Sequence, residues 1–140
     1  MRRERGTAMV EFALVLPVFL LLLAGVLDYT MMMRTAIAVA DAARAGAQFG
    51  SLNPANASNT VGIQTAAASA APDVTNLTAT ASKSCNCSGG AAVACNSTCP
   101  NGSVRVYVQV TVQATSSPIF SYTPLLYNGR VSATASMRAQ

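Results

Sequence analysis

The sequence predicts an α+β protein, in which a long N-terminal transmembrane helix continues into a domain with a second helix and a three-stranded antiparallel sheet. Three observations lead to this prediction. Residues 12–27 are almost purely apolar, no proline occurs between residues 28 and 53, and three later segments alternate apolar and polar residues. The first two patterns are typical of one long helix, and the third is typical of half-buried strands. The chain has 140 residues, enough for one membrane segment and one small domain.

The apolar run provides the membrane segment. Residues 7–27 are 21 residues long, and as a helix at about 1.5 Å per residue they reach about 30 Å, the thickness of a bilayer core. Three arginines before the run outweigh one glutamate, which favours a cytoplasmic N-terminus and export of the residues after the run. Residues 23–28 contain no small-x-small cleavage pattern, so an ordinary cleaved signal peptide is not favoured. We therefore expect a transmembrane helix over residues 7–28 and an exported domain over residues 29–140.

The exported domain is predicted to contain the rest of the first helix, a second helix and three strands. Residues 29–49 are rich in alanine, the best helix former, and continue the membrane helix. The turn residues at 50–54 end it. Asn59 or Thr60 begins a second helix that runs to about Ala71. The alternating segments that predict strands are residues 77–82, 104–112 and 131–137.

Two further features of the domain are predicted from side-chain patterns. A stripe along the first helix has the period of one helix face, and we expect it to pack on the domain or against neighbouring helices. Residues 116–128 hold two prolines and most of the later aromatic residues. They are predicted to form a loop over the sheet edge, with an exposed binding loop as the alternative. The stripe consists of Tyr29, Met33, Ala36, Ala40, Ala43 and Ala47.

Four cysteines lie within 15 residues, in a segment rich in glycine, serine and asparagine. Their C-x-C and C-x3-C spacings are a poor match to the C-x2-C pairs of zinc sites, and the chain has no histidine. Disulfides form in exported domains, so we expect two that staple the loop at residues 85–99. A bridge between Cys85 and Cys87 would be strained. Two pairings remain open: Cys85–Cys95 with Cys87–Cys99, or Cys85–Cys99 with Cys87–Cys95.

The composition gives no support for catalysis or for a bound cofactor. The part of the chain after residue 27 has no histidine, no glutamate and only three aspartates. No acid/base pair, metal set or Ser/His/Asp arrangement can be assembled from these by spacing. The net charge of +4 comes from N-terminal arginines and dispersed bases, which argues against nucleic-acid binding. We expect a protein that is not an enzyme and takes no cofactor, metal, nucleic acid or small-molecule substrate.

Glu11 is the one charge inside the apolar run, and it lies five residues after Gly6. One explanation is a position at the lipid interface, where a carboxylate is tolerated. Cleavage after Gly6 offers another, because it would create an α-amino group on Thr7, four residues from Glu11. At about 4 Å and an effective dielectric of about 20, the two charges attract by roughly 4 kcal/mol before desolvation is subtracted. The spacing is therefore consistent with processing between Gly6 and Thr7.

The stretch of residues 5–17 resembles the start of a TadE-like protein from a tight-adherence (Flp) pilus system. The shared pattern is a glycine, four further residues, Glu-Phe or Glu-Tyr, and then an apolar helix. Here it is Gly6, four residues, and Glu11-Phe12. Phe12 is more similar to the minor pilins, since the major Flp pilin usually has tyrosine there, and this chain is longer than a typical major pilin. The resemblance extends over residues 6–50.

This resemblance implies a TadE-like minor pilin, or pseudopilin, that helps to assemble a pilus and is a substrate of an aspartic prepilin peptidase. Residues 1–6 would be the basic prepilin leader, and Glu11 and Phe12 would take part in assembly and charge pairing. The implied partners are the peptidase, other pilins, pilus assembly-platform proteins and the lipid bilayer. The implied location is a single pass through the bacterial inner membrane, with a cytoplasmic N-terminus and a periplasmic domain; incorporation into the pilus stays open. The alternative is an unprocessed membrane-anchored envelope binding module without a filament role.

Overall fold

The computed structural model describes residues 4–100, 102–116, 119 and 129–139, of which residues 4–7 are described by their backbone. Within these residues the helices precede the strands, and the predicted α+β class is confirmed. The helices are α1 (Glu4–Ser51), α2 (Pro54–Ser58) and α3 (Thr60–Ser69). The strands are β1 (Thr78–Cys87), β2 (Ala92–Val93), β3 (Val104–Thr115) and β4 (Arg130–Arg138).

The strands form one antiparallel sheet in the order β2-β1-β3-β4. The prediction of three strands is wrong, because β2 adds a fourth at the edge, where Val93 pairs with Cys85 of β1. A strand of two residues is too short to show alternation, so the sequence pattern did not indicate it. The chain reaches β2 through a turn at Gly90, whose φ of 90° is a conformation that favours glycine.

Helix α1 is a single helix of 48 residues, so the predicted continuation of the apolar run into the domain is confirmed. The predicted stripe packs on the domain in its second half, where Ala43 and Ala47 are buried. Tyr29 and Met33 are exposed, because the continuous buried face of α1 begins only at Val39, so packing of the first half against neighbouring helices stays a prediction. That face comprises Val39, Ala42, Ala43, Gly46, Ala47 and Gly50.

The core lies between this face of α1, helix α3 and one face of the sheet. Strand β3 supplies Val108, Val110 and Val112, which are fully buried on the same side of the strand, as the alternation predicted. Helix α3 supplies Ile63 and Ala67. Strands β1 and β4 contribute mainly alanines to the same layer. Since most of these side chains are small, the helices and the sheet lie close together.

Two glycines show how closely α1 approaches its neighbours. A Cβ atom on Gly46 would lie 3.2 Å from a methyl group of Val110 and 3.2 Å from Cβ of Ala67. A Cβ atom on Gly50 would lie 2.8 Å from a methyl group of Val108. The absence of a side chain at these positions therefore lets α1 lie directly on β3.

Replacement of Gly50 by alanine is expected to lower the free energy of unfolding by about 1–3 kcal/mol, as overpacked cores do. The added methyl group would overlap Val108, a buried β-branched residue whose χ1 rotation is restricted. Gly89→Ala is the matched control, since a Cβ atom there meets nothing within 4 Å. Chemical denaturation of the detergent-solubilised chain measures the free energy of unfolding of both variants. Equal stability of Gly50→Ala and the wild-type chain would contradict the close packing of α1 on β3.

The connection between α1 and the sheet contains one helix more than the sequence predicted. Pro54 was expected only to end α1, but it is also the first residue of α2, a position where proline needs no N–H partner. Asn53 caps α2 by accepting a hydrogen bond from the Asn56 N–H at 2.7 Å. The second predicted helix corresponds to α3. Of the two predicted capping residues, Asn59 caps it: its side-chain oxygen accepts a hydrogen bond from the Gly62 N–H at 2.9 Å.

Candidate functional site

The predicted processing site lies at the start of α1. The helix begins at Glu4, so the backbone of Gly6 and Thr7 is helical. Thr7 and Glu11 are separated by four residues on one helix, which places them on the same face, about one turn apart. Glu11 is exposed and makes no ion pair with another described side chain. An α-amino group on Thr7 would therefore lie one turn from this carboxylate.

The apolar part of α1 presents its side chains to the outside. Every residue from Ala8 to Leu23 is exposed, including Phe12 and a run of four leucines. Among the described residues, the helix over Ala8–Ser51 is the one long and apolar enough to cross a membrane. Pro17 lies within this helix, as membrane helices tolerate. So large an exposed apolar surface indicates contact with lipid or with other apolar helices.

Asp28, the first charged residue after the apolar run, is buried where the domain touches α1. Only 7% of Asp28 is exposed. Its Oδ1 atom accepts a hydrogen bond from the backbone N–H of Ile119 at 2.8 Å. Its Oδ2 atom is buried and has no partner among the described residues. Sequence reasoning missed this junction, because 91 residues separate its two halves.

The predicted loop over the sheet edge is described at only two positions. Ser116 is buried, and the Ser116 N–H donates to the carbonyl oxygen of Gly129 at 2.7 Å. Ile119 lies against the first helix, since its backbone N–H donates to Asp28 Oδ1. The prolines and aromatic residues on which the prediction depended lie outside the described residues: Pro118, Phe120, Tyr122, Pro124 and Tyr127.

An open cleft of about 450 Å³ lies beside this junction. It is lined on one side by Arg34 and Thr35 of α1 and on the other by Asp73 and Ser116. A cation and an anion that are far apart in the sequence therefore face one cleft. In the part of the chain that the structure describes, no three of the histidine, cysteine, aspartate and glutamate side chains are grouped to hold a metal ion.

The four cysteines form two disulfides, Cys85–Cys95 and Cys87–Cys99. This is one of the two pairings that the spacing left open. Both bridges tie the end of β1 to the segment that comes after β2. Cys85 is also part of the buried core, whereas Cys95 is exposed. The bridges thus fasten an exposed loop to the sheet.

The face of the sheet that points away from the helices is polar. Its three long strands place residues such as Thr80, Thr111 and Thr134 side by side in register. The hydroxyl groups of Thr111 and Thr134 are 3.0 Å apart. Three arginines and one tyrosine accompany serine, threonine, asparagine and glutamine on this face, and no acidic residue does. We call it the outer sheet face; it is a hydroxyl- and amide-rich surface with positive charge.

Comparison with known proteins identifies the N-terminal helix. The comparisons with curated proteins and with solved structures give no match. A family model described as TadE-like protein matches residues 6–48, which lie entirely within α1. The match includes Gly6, Glu11 and Phe12, the residues that carry the resemblance in the sequence. The resemblance is confirmed: residues 6–48 match the TadE-like family.

Proposed function

We propose that this chain is a minor pilin, or pseudopilin, that takes part in assembling a tight-adherence pilus and has no catalytic activity. The observation that carries the proposal is the coincidence of three features in one helix. The TadE-like match covers residues 6–48, the same helix exposes an apolar surface from Ala8 to Leu23, and Glu11 is the one carboxylate in that surface. The apolar surface suits a membrane anchor, and the carboxylate suits the charge pairing that the TadE-like resemblance implies.

In this proposal α1 anchors the chain in the bacterial inner membrane in a single pass. The arginines before the apolar run stay in the cytoplasm, and the domain that carries the sheet lies in the periplasm. The two disulfides support this placement, because such bridges persist in the periplasm and are rare in the cytoplasm. The outer sheet face is then free to contact other pilins or assembly-platform proteins.

Cleavage by a prepilin peptidase after Gly6 is the step that prepares the helix for assembly. It would leave an ammonium group on Thr7, one helical turn from Glu11. When helices associate, this ammonium group and the Glu11 carboxylate of the same or a neighbouring helix attract each other in a low-dielectric environment. A pair at one fixed depth sets the register between neighbouring helices.

The test of processing is the N-terminal residue of the protein recovered from membranes of its native host. With the peptidase present, we expect the chain to begin at Thr7. A chain that begins at Met1 would favour the alternative, an unprocessed membrane-anchored envelope binding module. A chain that begins near Asp28 would indicate an ordinary signal peptide and would remove the membrane anchor from the mature protein.

Glu11→Ala is expected to enter the membrane and be processed normally, but to reach the pilus fraction at least about tenfold less. Loss of about 1.4 kcal/mol of the attraction to the new α-amino group is enough for a tenfold change. Glu4→Ala is the matched control, because Glu4 lies in the leader and is absent from the processed chain. Immunoblots of membrane and sheared-filament fractions measure both variants, with pilus number counted by electron microscopy. Normal piliation by Glu11→Ala would exclude the proposed pairing.

A further inference from the structure

Because Asp28 is buried, the first exposed charge on α1 after Glu11 is Arg34. Between Glu11 and Arg34, Asp28 is the only charged residue in the sequence. Since Asp28 is covered by the domain and Arg34 is exposed, the surface from Phe12 to Met33 presents no charge. These 22 residues reach about 33 Å as a helix, which is close to the thickness of a bilayer core.

The polar side chains at the end of this stretch are compatible with a lipid boundary. The hydroxyl group of Thr30 donates to the carbonyl oxygen of Val26 at 2.8 Å, so it does not depend on water for a partner. Tyr29 is 58% exposed, and tyrosine is enriched where membrane helices meet the headgroups. The helix therefore has the side chains of a membrane interface over the turn from Tyr29 to Arg34.

The hydrogen bond to Asp28 holds Ile119 beside this part of α1. Its backbone N–H donates to Asp28 Oδ1 at 2.8 Å, which places it before Arg34 along the helix. Its side chain is 56% exposed. It lines the same cleft as Met31, another exposed apolar residue. The domain thus brings an exposed apolar side chain to the uncharged part of α1 just before Arg34.

We propose that the periplasmic surface of the bilayer lies near Arg34, and that Ile119 together with Met31, which lines the same cleft, forms a second membrane contact. Its occupant is the phospholipid interface, because the patch is continuous with the apolar surface of α1. The hydrogen bond from Ile119 keeps the Asp28 carboxylate away from this lipid. The domain then rests on the membrane surface. The inference depends on the proposed membrane anchoring of α1, and the experiment separates the two.

A single tryptophan can report the depth of each position, because the natural chain contains none. The full chain carrying Ile119→Trp is reconstituted into phosphatidylcholine vesicles, and its emission is compared with that in phosphatidylcholine brominated on the acyl chains. The substitution retains the backbone N–H that binds Asp28, and the side chain is exposed, so the junction is preserved. Circular dichroism checks the fold. We expect a blue-shifted emission and a loss of intensity that is larger with bromines near the headgroups than with bromines near the chain ends.

Two matched variants give the quenching expected inside the bilayer and outside it. Leu20→Trp lies in the apolar run and should be quenched, most strongly by deep bromines. Val61→Trp replaces another exposed apolar residue on α3, where the next residue, Gly62, packs on Phe49. That position is about 30 Å further along α1 than Asp28, so Val61→Trp should keep its intensity.

The outcomes separate the two proposals. Quenching of Leu20→Trp and Ile119→Trp, with none for Val61→Trp, supports the second membrane contact. Quenching of Leu20→Trp alone leaves the anchor intact and overturns the contact. A blue-shifted Ile119→Trp without bromine quenching also overturns it, and indicates that protein, rather than lipid, covers the residue. Absence of quenching at both Leu20 and Ile119 overturns the membrane anchor as well.

Discussion

Replacement of Ile63 by alanine is expected to lower the free energy of unfolding of the domain by about 2–5 kcal/mol. Ile63 is 1% exposed and is the largest of the fully buried side chains among the described residues. Its Cδ1 atom lies against Gly50 of α1, at 3.1 Å from the position that a Cβ atom there would take. The surrounding core consists mainly of alanine and valine, so few side chains are long enough to fill the cavity that alanine would leave.

Val61→Ala is the matched control for Ile63→Ala. Val61 lies on the same helix, loses methyl groups in the same way, and is 69% exposed. We expect its substitution to change stability by less than about 0.5 kcal/mol. Denaturant unfolding of the solubilised chain, followed by circular dichroism, measures both variants. Similar losses in the two variants would mean that α3 does not pack on α1 and the sheet as described.

Removal of both disulfides is expected to lower the free energy of unfolding by about 3–5 kcal/mol. The bridges join residues 10 and 12 positions apart, and closing one loop of that length removes about 3 kcal/mol of chain entropy from the unfolded state. The loop between β1 and β3 has little else to hold it, because most of its side chains are exposed. A domain of this size has a total stability of only about 5–15 kcal/mol, so this loss is a large fraction of it.

The measurement compares unfolding with and without a reducing agent. A variant with serine at all four cysteine positions should match the reduced wild-type chain and should not respond to the reductant, because the chain has no other cysteine. Replacement of Cys85 and Cys95 by serine should lower the free energy of unfolding more than replacement of Cys87 and Cys99, since Cys85 is buried in the core. An unfolding midpoint that reduction leaves unchanged would show that the bridges are not needed for stability.

The long elements could be predicted because their patterns extend over many residues. The alanine-rich sequence after the apolar run indicated one continuous helix, and the alternating valines of β3 indicated both the strand and its buried side. The missed elements are short. β2 has two residues and α2 has five, and the Pro54 that begins α2 also explained the end of α1. The stripe on α1 did not show where the domain begins to cover the helix, because periodicity marks a face of a helix and not what covers it.

The candidate site was predictable in one part and hidden in another. The spacing of Gly6, Glu11 and Phe12 is local, so it could be recognised in the sequence, and these residues lie within the TadE-like match. Cleavage after Gly6 stays a prediction. The contact between Asp28 and Ile119 depends on the path of the whole chain between them, and no local pattern indicates it. Asp28 lies at the end of the predicted membrane segment, and its role as a buried acceptor was not predicted.

The unbroken course of α1 has a mechanical consequence. A helix of 48 residues is about 72 Å long, and no proline interrupts it between Val18 and Ser51. Its last turns are fixed to β3 at Gly46 and Gly50, where there is no room for sliding. A rotation or an axial pull applied to the apolar end would therefore be transmitted to the sheet as a rigid-body movement. In the proposed membrane anchoring, extraction of the helix from the bilayer would displace and turn the whole domain with it.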